Sequence, residues 1–190
     1  MNPGQLAGMA AMAALALPAA AQPVVYDIDP ERSAVVFEVL HFGTSTIRGR
    51  CGGVQGEVMI DRSAGQGRAS VRVATAGVSM GLPFFDSRMR QPDMLASTTE
   101  PDAFFVATRL SFVGEQLREL RGEFTLRGIS QGLTLRARSF ACHIDSATKR
   151  EACGGDFEGE FVRSSFGITF GLPFVADRVR LRVQVEGMRR

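Results

Sequence analysis

Apolar residues in this chain recur at every second position rather than every 3.6, and that period restricts it to strands half-buried on one face. The clearest run is residues 178–186. There Val179, Leu181, Val183 and Val185 share one side, while Arg178, Arg180, Arg182 and Gln184 share the other. The same alternation recurs over residues 54–61, 68–73, 104–112, 120–127 and 133–138. Residues 24–29, 33–41 and 157–165 bring the expectation to eight or nine strands. Gly-rich turn signals separate them, at residues 63–67, 114–116, 128–132 and 171–173, and connections this short make neighbours antiparallel. Alternation stops between Val78 and Pro101. Within that break, residues 86–95 suit an irregular helical turn packed over an opening, because Pro92 would cost a strand a ladder hydrogen bond. The class is all-β, and an antiparallel sheet of this size with one apolar face either closes into a barrel or folds into a sandwich.

With 190 residues, 45% of them hydrophobic and 22% charged, the chain supports one domain with one core. A net charge of +2 is too small for an electrostatic footprint on nucleic acid. Residues 1–21 contain no Asp, Glu, Lys or Arg. The apolar run at residues 6–17 is too short for a comfortable membrane span, and Ala19 and Ala21 supply the small-residue pair of a cleavage site near Gln22. Residues 1–21 therefore read as a secretory signal peptide, and 22–190 as an exported, periplasmic domain. The n-region lacks the usual basic residue, which leaves an upstream start codon or an uncleaved anchor as alternatives. Cys142 and Cys153 bracket a polar, turn-rich segment, as a disulfide across a hairpin tip would. Free buried thiols are the plainer alternative, and Cys51 is left without a partner in either case. Zinc ligation is not expected, since the cysteine spacing is wrong and the chain has two histidines.

No phosphate loop, nucleophile elbow, dinucleotide fingerprint or metalloprotease helix is present, and no catalytic residues are assigned. The informative feature is the interior: fourteen phenylalanines, one tyrosine and no tryptophan. On alternation Phe37, Val39 and His41 share a face, as do Phe104, Val106, Leu110 and Phe112, and Phe124 with Leu126. Core packing accounts for such residues in any β domain. They would equally line a barrel too wide for its own side chains to fill, open to an apolar guest. Two polar residues fall in phase with these faces: His41, and Arg163 following Phe157, Gly159 and Phe161. Each is either a satisfied structural group or a contact for the polar head of a ligand.

At this point the residues resemble a known family, the bacterial exported polyisoprenoid-binding proteins called YceI-like. The resemblance runs from Tyr26 to Glu186. It includes Tyr26-Asp27-Ile28-Asp29, Ser33 to Val39 with His41, Gly49, and Asp86, Met89, Met94 and Leu95 of the helical segment. Its most specific stretches are Gly122-Glu123-Phe124-Thr125-Leu126-Arg127-Gly128-Ile129-Ser130 and Arg163-Ser164-Ser165-Phe166-Gly167-Ile168. The resemblance implies an eight-stranded antiparallel, lipocalin-like β-barrel with one short helical segment near residues 84–95. It implies a non-enzymatic carrier, without cofactor, whose apolar cavity takes a long isoprenoid lipid, either a polyprenyl phosphate or an isoprenoid quinone. The expected lining is Phe37, Val39, His41, Phe104, Val106, Phe112, Phe124, Phe161, Arg163 and Phe166, with Arg48, Arg88 and Arg90 as head-group candidates at the mouth. This chain carries Arg32 and Arg88 where the family has histidines, which suggests a more anionic head group. It also departs at Cys51 and at Ser164-Ser165. A ligand-free interaction or stress protein on the same barrel is the alternative function. Transient contact with a membrane surface and pairing into a homodimer are left open.

Overall fold

The computed structural model describes residues 22–114 and 116–190, so the expected signal peptide at 1–21 lies outside the described residues. Eleven strands follow in order: β1 (Val24–Ile28), β2 (Ala34–His41), β3 (Ser45–Cys51), β4 (Gln55–Asp61), β5 (Gln66–Ala74), β6 (Val78–Ser79), β7 (Asp102–Val113), β8 (Gln116–Leu126), β9 (Ile129–Ile144), β10 (Glu151–Val162) and β11 (Val175–Arg189). One helix, α1 (Pro83–Met89), stands between β6 and β7.

The eleven strands make eight arms. β1 and β2 both pair with β11, Ile28 opposite Gly187 and Ala34 opposite Gln184, so they form one arm with a bend at residues 29–33. β3 and β4 likewise pair with β2 and β1, and β6 and β5 with β3 and β4. From β5 onward each arm pairs with its sequence neighbour, and β11 returns to the first arm, closing an eight-stranded antiparallel barrel. Closure removes the exposed edges that an open sheet of this size would present. It also selects the barrel over the sandwich.

The final strand follows the alternation: Val179, Leu181 and Val183 are buried inside, and Arg178, Arg180 and Arg182 face out, paired with Glu160 and Glu38. The β8–β9 connection is the two-residue turn Arg127-Gly128, both at positive φ (54° and 69°), which matches the twist of the flanking strands. Three expectations need correction. β3 and the outer halves of β9 and β10 lie in stretches without clear alternation, where the partner strands supply the pairing. The helix ends at Met89, and residues 91–99 are turns whose amides bond back to the carbonyls of Arg88, Met89, Arg90, Gln91 and Ala96. On β7 the inward residues are Phe105 and Ala107 up to a bulge between Ala107 and Arg109, and Leu110 beyond it. A bulge shifts the phase by one residue, so a single alternation drawn through Phe104, Val106 and Leu110 is out of register at its start.

Candidate functional site

The side chains facing the barrel axis do not fill it. They leave a cavity of about 570 Å³, within the range of ligand pockets, that runs from Tyr26, Cys153 and Gly187 at one end to His41, Phe84, Phe85, Arg88 and Phe170 at the other. Its middle is walled by Phe37, Val39, Phe105, Leu120, Leu133, Leu135, Phe157, Leu181 and Val183 from every side of the barrel. The polar side chains on the whole wall are Tyr26, His41, Cys51, Thr75, Arg88 and Arg163. Gly49 shapes the wall from behind, because a Cβ there would fall 2.1 Å from the Phe37 ring, which lies directly against its backbone.

The two ends differ. At one, Tyr26 is buried as a floor, and its hydroxyl donates to Glu151 Oε2 at 3.0 Å. Arg62 bonds the other oxygen of Glu151 at 2.8 Å and reaches Cys142 Sγ and Cys153 Sγ at 3.0 and 3.3 Å, while Arg189 lies 3.6 Å from Glu151. Cys142 and Cys153 are disulfide-bonded across β9 and β10. Burial and the Glu151 hydrogen bond raise the Tyr26 hydroxyl above its ordinary pKa. Burial pushes Glu151 up as well, but the bonds from Arg62 and Tyr26 outweigh it and hold the carboxyl low. Among the described residues Cys142, Glu151 and Cys153 are grouped closely enough to hold a metal ion, but both sulfurs are committed to each other.

At the other end the cavity meets the surface between α1, the β2–β3 turn and residues 167–174, where Phe84, Phe85 and Phe170 line it and remain exposed. Arg163 is buried beneath the last of these segments. Its guanidinium donates to four main-chain carbonyls: Ile168 (3.1 Å), Phe170 (2.8 Å), Val175 (2.8 Å) and Ala176 (2.9 Å). Burial lowers its pKa, opposed by nearby Asp177, which itself holds the Ser164 amide and hydroxyl. Arg88 makes a two-pronged bond to Asp93, 2.6 Å on each arm, and lies 4.1 Å over the Phe170 ring. Burial raises the Cys51 thiol to about 11, so it is a neutral wall group at physiological pH.

Of the expected site residues, Phe37, Val39, His41, Phe104, Phe124, Phe161, Arg163 and Arg88 lie on the cavity wall, Phe104 with much of its ring exposed. Val106 turns outward on β7, because of the bulge. Phe112 packs into the core beyond the cavity. Phe166 is buried beneath Phe124 and Phe161, its ring 5.4 and 5.3 Å from theirs, and supports the wall from outside. Arg48 pairs with Glu38 at 3.0 Å and Arg90 with the Ala76 carbonyl, neither on the wall. Arg32 lies away from the cavity, bonded to Glu186 and Asp145. The contribution missed from sequence is Met80, Phe84, Phe85, Met89, Met94 and Leu95, the apolar residues of the segment between β6 and β7. Their density in a stretch without strand period was the available signal.

The model of the YceI-like domain matches residues 26–187. Protein YceI of Shigella flexneri is 28% identical over 166 residues, covering 86% of each chain. The fold is similar to that of Burkholderia cenocepacia BcnA, with a TM-score of 0.69 at 19% identity, covering 84% of this chain and 99% of that one. It is also similar to a polyisoprenoid binding domain from Saccharophagus degradans implicated in plant cell wall breakdown, with a TM-score of 0.62 at 16% identity over 87% and 98% of the two chains.

Proposed function

The chain belongs to the YceI-like domain family, and on that premise we propose that it is an exported, non-enzymatic carrier that holds a long isoprenoid lipid inside the barrel. The observation that carries the proposal is the cavity itself. A continuous tube of about 570 Å³ with almost entirely apolar walls is a poor host for water and a good one for a methyl-branched chain. Each methylene withdrawn from water is worth about 0.8 kcal/mol, so a few isoprene units give a large gross term before ordering costs are subtracted. The similar domain from Saccharophagus degradans, described as polyisoprenoid binding, supports the same ligand class.

The wall favours an uncharged head group, a quinone rather than a polyprenyl phosphate. Both arginines that reach the cavity are already engaged: Arg163 donates four of its N–H groups to carbonyls, and the charge of Arg88 is compensated by the Asp93 carboxylate. A phosphate at Arg88 would sit against that carboxylate, and one at Arg163 would disturb a buried clamp, whereas a quinone oxygen needs only one donor, which His41 on the wall supplies. The cationic substitutions at positions 32 and 88 therefore do not make an anion site.

Organic extraction of protein purified under mild conditions from the exported fraction, followed by mass spectrometry, tests this directly. A near-stoichiometric isoprenoid quinone is expected. A polyprenyl phosphate would overturn the head-group assignment alone. Protein that carries no lipid and takes up none when isoprenoids are offered in excess would overturn the carrier function and leave an interaction protein on the same barrel.

A further inference from the structure

The open end carries an apolar collar that the core does not use. Phe84 is 76% exposed, Phe42 and Phe174 60% each, Leu82 56% and Phe170 54%. They come from three separate segments: the β2–β3 turn, the α1 region and the connection into β11. The strand pairing of His41 with Val175 brings the first and third together, and the Phe42 and Phe174 rings lie 5.3 Å apart. Phe84 and Phe170 line the same opening, and Arg88 over Phe170 joins the helix to the third segment. Exposed apolar side chains scattered singly are ordinary; five bulky ones around one opening are not.

Phe42 shows that this exposure is costly. It sits in the left-handed region, φ 50°, at a turn position where Gly or Asn is at ease and a bulky residue is strained. Strain at a ring that meets only His41 and Phe174 and leaves most of its surface exposed points to a contact made outside the chain. The charges beside the collar are mixed in sign: Arg88 pairs with Asp93, Arg48 with Glu38, Arg127 bonds the Met94 and Gly167 carbonyls, and Asp86 accepts from the Met80 amide. A strongly acidic or basic protein partner finds no patch of one sign among them.

We propose that this collar is a membrane-docking surface, which inserts Phe42, Leu82, Phe84, Phe170 and Phe174 into the interfacial region of a phospholipid bilayer with the cavity mouth facing the acyl chains. The collar is exposed and strained whatever the barrel carries; its role in loading rests on the carrier function above. Continuity between collar and cavity gives an apolar chain a route from one lipid phase to another without crossing water. Because the charges beside the collar are of both signs, insertion rests on apolar contact, and attachment is insensitive to salt and to lipid charge.

The test is flotation of the purified protein with phosphatidylcholine vesicles, with and without added phosphatidylglycerol, at low and high salt. Three exposed collar residues off the cavity wall are changed together, Phe42→Ser, Leu82→Ser and Phe174→Ser. The comparison protein carries Val113→Ser and Ile144→Ser, equally exposed apolar residues toward the opposite end of the barrel, 65% and 64% exposed. The parent and the comparison protein are expected to float equally on both vesicle types at both salt levels. The collar variant should lose at least about tenfold in vesicle affinity with its thermal midpoint unchanged. It should still take up an isoprenoid delivered in detergent, and failure of that uptake in the parent counts against the carrier and not the collar. A parent that does not float, a collar variant that floats like the parent, or binding that requires phosphatidylglycerol and vanishes with salt would each overturn the proposal. So would sedimentation showing a dimer of the parent that the collar substitutions dissociate, since the collar would then cover a second copy of the chain.

Discussion

The two ends of the barrel solve opposite problems with the same few residue types. At the closed end, polar groups bond to one another: Tyr26 to Glu151, Glu151 to Arg62 and Arg189, Arg190 to Asp27 and Glu57, with the Cys142–Cys153 bond across the adjoining strands. At the open end, the one buried cation among the described residues bonds to main chain. Arg163 holds the carbonyls of the segment carrying Phe170 and Phe174, so that segment keeps its shape without burying its own rings. A side-chain network seals. A side chain bonded to backbone instead fixes a loop whose own side chains stay exposed for a different use.

The greatest loss of stability is expected at Arg163. Arg163→Met leaves four carbonyls without a donor and should cost about 3–5 kcal/mol in urea unfolding. Arg163→Lys should recover little of it, because one ammonium does not span carbonyls spread along residues 168–176. A loss below about 1 kcal/mol would mean that the loop holds itself and the clamp is incidental. Next comes the closed end, where Cys142→Ser with Cys153→Ser should cost about 2–3 kcal/mol by releasing a short loop, and should leave the lipid content by extraction unchanged. A change in lipid content would show that the closed end shapes the cavity and does not merely seal it.

Tyr26→Phe is smaller, about 1 kcal/mol, since the ring still forms the floor and Glu151 keeps Arg62 and Arg189. The smallest effect is acid sensitivity. Hydrogen bonds from Thr148, reinforced by Arg32 and the Ala147 amide, lower Asp145 to about 2, and Asp27 is held low by Arg190. A carboxylate with a lowered folded pKa contributes stability that is complete above its unfolded value and is lost as pH falls through the folded one. The urea midpoint should therefore fall between about pH 5 and about pH 2, and Asp145→Asn should flatten that fall. An unchanged profile in Asp145→Asn would place the acid-sensitive groups elsewhere.

Much of this was legible in the sequence because the signals are local. The alternation of residues 178–186 marks β11 and its inner face, since side chains on a strand change sides with a fixed period of two. Cys142 and Cys153 announce their hairpin by spacing, and the family resemblance implied the eight arms. Legibility failed where a residue's environment is set by a distant partner. Ser45–Cys51 alternates only over its short second half, Ile47, Gly49 and Cys51 against Arg48 and Arg50, and becomes β3 because β2 offers it a full ladder from Val35 to His41. Gly154 and Gly155 look like turn residues, yet they sit within β10, where a Cβ would lie 2.5 and 2.1 Å from main-chain oxygens of the neighbouring strands. The phase of β7 depends on a bulge that no local pattern marks.

Periods and spacings along one chain carried the class of element and the antiparallel run of neighbouring arms, and left Cys142 and Cys153 as either a disulfide or two free thiols. Tertiary structure decided that the barrel keeps a cavity, which end is open, and which arginines have their donors occupied. Cavity volume is a small difference between the volume enclosed by eight arms and the summed volume of side chains pointing inward from all of them. Whether Arg88 or Arg163 can meet a ligand depends on Asp93 and on four carbonyls placed by the turns that follow. Both are properties of groups assembled in space, and neither has a signature in the period of any one strand.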